Sequence, residues 1–464
     1  MSAAVGAKGM DPARVAAALV ERVAARNRSA EARARVSAGV SGLTRFANSF
    51  IHQNVAEQSA AVGLDVAVDG RLATAHTNRT DDASLDALVH AALAAAEVRP
   101  VDPGWAGLAP PAAVTGAEHH DAATAAASPD QRAAVVGAFV AAGEGLAAAG
   151  FCSTGAVTAA FANSAGQAVE GRSTRAALDG VHRAAGEGDA TADGVAARVS
   201  VALSDLDGAA AGELAAAKAR AGTRPVELPP GRYEVVLEPR CVADLVDFLA
   251  IYGFNARPVL EGQSFARPGE AQLDPALSLW DDAGDHRSTG LLFDHEGTPK
   301  RRVPLVDAGT VVGLAHDRRT AARSGTESTG HAVPGGESFG AVPTNLFLGP
   351  SAAERSPAPA DPAELVASLE RGLLVSDFWY TRVLDPKTLV VTGLTRNGVF
   401  LVEGGEVVGP VTNLRFTQSY PGALAPGRVI GVGSDARLVS GYSGVHHVPT
   451  LRLASWNFTG NARG

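Results

Sequence analysis

Few residues in this chain have types and spacings suited to chemistry, and each also has a structural reading. Cys241, Asp244 and Asp247 share the stretch Leu228–Phe265, LPPGRYEVVLEPRCVADLVDFLAIYGFNARPVLEGQSF. Cys241 opens a helical segment, and a helix N-terminus can lower a thiol pKa, so a thiol nucleophile is one reading and a buried cysteine the other. Asp244 and Asp247 are the only acids of that segment, and it contains no histidine. His119-His120 and His446-His447 could each be half of a metal site. Successive side chains of a strand point to opposite faces, so adjacent imidazoles do not readily share one ion, and a structural role is the expectation. His295-Glu296 lacks a second histidine at helical spacing and lies in a Gly-Pro turn. Gly441-Tyr442-Ser443-Gly444 lacks the second spacer and the strand-to-helix setting of a nucleophile elbow. Gly431-Val432-Gly433 lacks the third glycine and the helix of a dinucleotide loop. The glycine- and serine-rich stretch Ser324–Gly340 is the candidate for contact with substrate or partner, through Ser324, Gly325, His331, Gly335 and Gly336. Backbone donors of such a loop can pair with an extended peptide by strand addition.

The elements that position these residues read as follows. Val242, Leu245, Val246, Leu249 and Ile251 recur at spacings of three and four, which predicts a helix from Arg240 to Phe254 with one buried face. Tyr233–Leu237 before it is a strand. Upstream, Asp11-Pro12 starts a helix to Arg26, Ser37–His52 reads as a strand, and Val62–Asn78 is a hairpin turning at Asp69-Gly70. Ser84–Val98 is a helix. Ser128-Pro129-Asp130 caps another, running to near Gly150. Ser204–Ala221 is a third, capped by Ser204 or Asp205. Phe46-Ala47-Asn48-Ser49 recurs as Phe161-Ala162-Asn163-Ser164, which is either chance in an alanine-rich chain or the trace of two related halves. Three prolines within Thr223–Pro230 mark a boundary. Beyond it strands dominate, among them Gly290–Asp294, Val303–Val306 and Val311–His316. Ser351–Ala360 is a Pro-Ala connection, and Asp361-Pro362 starts a helix to Gly372. The fold class is α+β, with an N-terminal helix-and-sheet domain (1–222) and a mainly antiparallel β C-terminal domain (223–464).

Composition bounds the function. The 464 residues are 46% hydrophobic and 19% charged, enough for a packed core. A formal net charge of −9 argues against a nucleic-acid phosphate track. No run of 18 apolar residues occurs, so no membrane span is expected. The opening MSAAVGAKGMDPAR has no apolar signal core. The two cysteines form no disulfide framework, and the chain is expected to be cytoplasmic.

Several segments, in order over most of the chain, resemble the TldD/PmbA family. Arg45–Ser49 with Ile51–Asn54 looks like its R-F-A-N-S strand. Phe293–Pro299 resembles its D-D-E-G-x-P turn, with His295 in place of the second Asp. Gly372–Val375, Val399–Val407 and Pro410-Val411 with Leu414 resemble its closing strands. In the metal-binding TldD-type subunit the helix equivalent to 240–254 carries H-E-x-x-x-H, and a cysteine comes from near the C-terminus. Here that helix has neither histidine nor a glutamate in register, and no cysteine follows Cys241. The chain therefore resembles the TldE/PmbA-type subunit, which binds no metal and no other cofactor. The resemblance implies a heterodimer with a TldD-type paralogue that holds the zinc. It also implies a peptide substrate enclosed in a shared cavity, and no catalytic residue in this chain. A stand-alone family member acting on a small molecule in secondary metabolism is the alternative.

Overall fold

The computed structural model describes residues 10–186, 191–352 and 358–462. The readings of the first nine residues and of 353–357 within the Pro-Ala connection lie outside the described residues.

The first six strands are β1 (Glu31–Ala47), β2 (Phe50–Val68), β3 (Arg71–Thr77), β4 (Ala147–Asn163), β5 (Ala168–Ala185) and β6 (Thr191–Ser200). They form one antiparallel sheet in the order β3-β2-β1-β4-β5-β6. Asp69 and Gly70, at φ 50° and 74°, make the expected turn. The single strand expected over Ser37–His52 is instead two, because Asn48 and Ser49 turn the chain at φ 50° and 65°. Helices α1 (Pro12–Arg26) and α2 (Asp82–Val98) bury Val15, Leu19, Leu85 and Val89 against Ala34, Val36, Leu64 and Val66. Helices α3 (Pro129–Ala142) and α4 (Gly208–Ala221) do the same with Val136, Phe139, Ala211 and Ala215 against Phe46 and Leu178. Each half is thus helix, three strands, helix, and the halves meet along β1 and β4. The two Phe-Ala-Asn-Ser copies end the first strand of each half, which favours the related-halves reading.

Two helix boundaries differ from expectation. α3 stops at Ala142, and Ala147–Gly150 opens β4, pairing with Gly180–Arg183. Alanine favours helix intrinsically, but the ladder and the break at Gly143 override it. α4 starts at Gly208 with Asp207 as cap, after a single 3-10 turn at Leu203–Asp205.

Beyond residue 230 the strands are β7 (Gly231–Leu237), β8 (Leu277–Asp281), β9 (Val303–Asp307), β10 (Thr310–Val311), β11 (Leu346–Pro350), β12 (Arg371–Asp385), β13 (Val390–Glu403), β14 (Glu406–Pro410), β15 (Leu414–Ser419), β16 (Val429–Val432), β17 (Arg437–Ser440), β18 (Val445–Val448) and β19 (Leu451–Asn461). The pairings β12-β7-β19-β15-β13 close on themselves through β12–β13. Closure removes free sheet edges. Phe378, Phe416, Tyr420 and Trp456 stack within this part of the core, with ring centroids 4.6–5.6 Å apart. A second sheet runs β10-β9-β8-β11-β18-β17. Gly290–Asp294 contributes only the bridge Phe293–Pro299, and the strand expected at Val311–His316 is reduced to β10. The helix after Asp361 spans Pro362–Ala367, because Gly372 already belongs to β12.

The predicted central helix is α5 (Pro239–Phe248), extended by a π-turn at Leu249–Gly253. Val242, Leu245, Val246 and Leu249 are fully buried in the largest core cluster, as their spacing requires, whereas Ile251, in the π-turn, is only half-buried and borders a cleft.

Candidate functional site

The polar side chains of α5 all face inward and all are engaged. Arg240 donates to Asp377 at 3.1 and 3.3 Å and to Asp179 of β5 at 2.9 Å, joining the two regions of the chain. Cys241 is buried with its Sγ 3.5 Å from the Val375 carbonyl. Burial, with Asp377 and Glu238 nearby, pushes its thiol well above the usual value. Of the two readings of Cys241 the buried cysteine holds: the residue sits inside the core and α5 gives it no net activation.

Asp244 accepts from Thr381 Oγ1 and Tyr420 Oη, both at 2.7 Å. Burial, helped by Asp247 and Asp377, lifts its carboxyl to about 7. Asp247 accepts from Tyr442 N at 2.6 Å, Ser443 N at 3.0 Å, Ser443 Oγ and His446 Nε2 at 2.7 Å. Burial opposes its charge, yet His446 and Ser443 hold it below the ordinary carboxylate value. Ser443, Asp247 and His446 do not form a nucleophilic triad, because the carboxylate lies between the hydroxyl and the imidazole. They clamp the 441–444 turn onto α5. His447, on the opposite face of β18, stacks on Phe347 at 5.2 Å.

Zinc sites need three or four nitrogen, sulfur or oxygen ligands converging on one point. Among the described residues no group of three or more His, Cys, Asp or Glu is so placed. The residues of α5 do not fit a zinc ion, since among the described residues no third ligand converges with either carboxylate and each is hydrogen-bonded by donors from elsewhere in the chain.

The stretch Ser324–Gly340 is not one open loop. Helix α6 (Arg318–Ser324) ends at Gly325, whose φ of 64° caps it. Ser324 and Gly325 are exposed and line neither of the two large clefts nearby. His331 is buried: Nε2 lies 3.0 Å from Asp281 Oδ1 and Nδ1 lies 2.8 Å from Thr329 Oγ1. A surface role for His331 is thus replaced by an anchoring one. Gly335 and Gly336 do line a cleft of about 520 Å³, opposite Arg33, Arg35, His295 and Glu296. Val333 and Pro334 also border a second cleft of about 520 Å³, with Ile251, Tyr252, Phe339 and Tyr442.

The first cleft is polar but internally paired. Arg33 reaches Asp65 at 2.6 Å and Glu296 at 3.2 Å, and Arg35 reaches Asp65 at 2.8 and 2.9 Å. Burial disfavours the Asp65 charge, but the two guanidiniums hold its carboxyl well below the usual range. Burial together with Arg35 and Arg33 keeps His295 neutral, at about 3. Asp294 fixes the turn beneath it, accepting from the backbone of Glu296, Thr298 and Ala332 at 2.9 Å each. The second cleft is more apolar and opens at the C-terminal end of α5.

A buried helix packed between a closed strand array and a second sheet, beside a helix-flanked antiparallel sheet, makes up an α+β fold. The PmbA/TldA metallopeptidase C-terminal domain matches residues 230–460 and the PmbA/TldA metallopeptidase domain 1 matches residues 32–96. The chain belongs to the TldD/PmbA family. It is 24% identical over 218 residues to a metalloprotease of Methanothermobacter thermautotrophicus, covering 47% of this chain and 46% of that protein. It is 30% identical over 118 residues to an uncharacterised protein of Methanocaldococcus jannaschii, covering 25% and 28%. The chain thus spans less than half the length of these curated relatives. The crystal structure of TldE from Thermococcus kodakarensis superimposes with a TM-score of 0.84 at 18% identity, covering 96% of this chain and 100% of the other. That likeness is one of fold. Among the described residues no helix is long and apolar enough to cross a membrane.

Proposed function

We propose that this chain is the non-catalytic partner subunit of a heterodimeric TldD/TldE-type zinc metallopeptidase, enclosing the cavity and helping to hold unfolded or modified peptides. The observation that carries the reading is the state of α5. Its arginine and both carboxylates are committed to Asp179, Asp377, Thr381, Tyr420, Ser443 and His446. Among the described residues no set of ligands converges there on a metal, so hydrolysis is assigned to a metal-binding paralogue, where zinc would supply the Lewis acid. The fold likeness to TldE is consistent with this. The two clefts either side of Val333-Pro334, one polar and one apolar, offer an extended peptide both kinds of contact. The reading places the complex in the cytoplasm.

The test is co-purification from the native host with metal analysis of the complex and of this chain alone. The expected result is a complex carrying about one zinc, all of it in the paralogue. One tightly held metal on this chain by itself, or its isolation without any paralogue, would sink the reading and favour a stand-alone enzyme.

A further inference from the structure

The outer face of the β12–β13 ribbon carries a surface that none of the preceding contacts use. Trp379, Tyr380 and Leu384 are 51%, 65% and 60% exposed. Three large apolar side chains are thus exposed within six residues of one strand. Alternation along β12 accounts for most of it. Phe378 is buried, so Trp379 next to it faces out, and beyond the bulge Thr381 turns inward to Asp244 and Val383 packs on the core, so Arg382 and Leu384 face out. Tyr380 is the exception. The β12–β13 register shifts between Trp379 and Arg382, and Tyr380 is held at φ 53°. A bulky aromatic residue there is strained, and bulges of this kind re-aim side chains. The outcome is two consecutive aromatic rings on the solvent side.

Both rings carry a cation. The Arg382 guanidinium lies 4.3 Å from the Tyr380 ring centroid, and that of Arg396 lies 4.6 Å from Trp379. Arg382 donates to the Thr381 carbonyl. Among the described residues neither guanidinium is in salt-bridge contact with a carboxylate. Trp, Tyr and Arg are the residue types that dominate binding energy at protein interfaces. Unpaired guanidiniums beside flat rings call for carboxylates on the partner.

We propose that this face docks the paralogous metal-binding subunit, through a surface that presents Asp or Glu side chains to Arg382 and Arg396 around an apolar recess for Trp379. The proposal rests on the partner-subunit reading and adds where the contact is made. Thr381 ties the inward side of the same ribbon to Asp244, so a subunit docked here sits one strand away from α5.

The experiment mixes this chain with its paralogue and follows association by sedimentation velocity at low and high salt. Trp379→Ala is expected to weaken the pair by about thirtyfold or more. The double variant Arg382→Glu, Arg396→Glu should weaken it further. Salt should weaken the wild-type pair more than a pair made with Arg382→Ala, Arg396→Ala. Tyr380→Gly separates binding from folding, since it removes both the ring and the strain: the variant should be at least as stable as wild type and bind less tightly. Wild-type chains that pair, with every variant pairing equally well, would overturn this surface and leave the partner reading standing. Wild-type chains that do not pair would overturn both. Self-association of this chain that Trp379→Ala abolishes would assign the face to a second copy instead.

Discussion

Asp244→Asn tests the buried chemistry of α5 quantitatively. Asp244 is half-buried at the edge of the core, with its carboxyl lifted to about 7 from an ordinary 3.8, burial being the largest cause. The folded chain therefore binds this proton more tightly than the unfolded chain does. The associated stability is complete below the unfolded value and is lost as pH rises through about 7. Each pH unit between the two values costs the fold about 1.4 kcal/mol, so from about pH 5 to about pH 8 this group removes roughly 3 kcal/mol. Asparagine keeps the size and can still accept from Thr381 and meet Tyr420, but it does not titrate. Denaturant unfolding of both proteins, followed by tryptophan fluorescence, gives the comparison. Trp456 reports on the region, with its ring 5.6 Å from that of Tyr420. The variant should gain about 3 kcal/mol relative to wild type between those pH values, while other titrating groups cancel in the difference. A difference that stays constant within about 0.5 kcal/mol would refute the reasoning, because unaltered sites add to within that margin.

Further outcomes follow from the same contacts. Asp247→Ala leaves His446 buried without its carboxylate and frees the turn at Tyr442 and Ser443, so unfolding free energy should drop by about 3–5 kcal/mol. A loss under about 1 kcal/mol would mean that the clamp is dispensable. Leu245→Asp places an unpaired charge in the largest core cluster and should cost at least about 3–5 kcal/mol, leaving the C-terminal region unfolded by circular dichroism. Recovery of a soluble variant with wild-type stability would show that this face is not core. Cys241 and Cys152 are both buried, and burial pushes the Cys152 thiol up to about 11. Neither should react with a thiol reagent until denaturant is added, and fast labelling of Cys241 in the folded chain would reopen the thiol reading.

Local signals carried much of this architecture. The spacing of Val242, Leu245, Val246 and Leu249 located α5, and Asp69-Gly70 located a hairpin, because both are dictated by neighbours in sequence. Ala147–Gly150 misled because alanine prefers helix, whereas its conformation is set by a partner strand some thirty residues away. The same distinction separates the site residues. Asp244 and Asp247 show only their three-residue spacing locally, while their partners Tyr420 and His446 lie 176 and 199 positions away. His331 reads in sequence as part of a glycine- and serine-rich contact loop, and only the fold brings it to Asp281. Trp379 and Tyr380 were legible as types, but the bulge that turns both outward depends on pairing with β13.

The central claim is that this chain serves a catalytic paralogue without cleaving bonds itself. Reconstitution tests it most directly: the two chains are expressed separately, and each alone and the mixture are given an unfolded peptide while sedimentation is recorded. The account predicts that this chain alone leaves the peptide intact, that cleavage appears in the mixture, and that the two chains sediment together. Cleavage by this chain alone, or its sedimentation as a separate species beside an active paralogue, would contradict it.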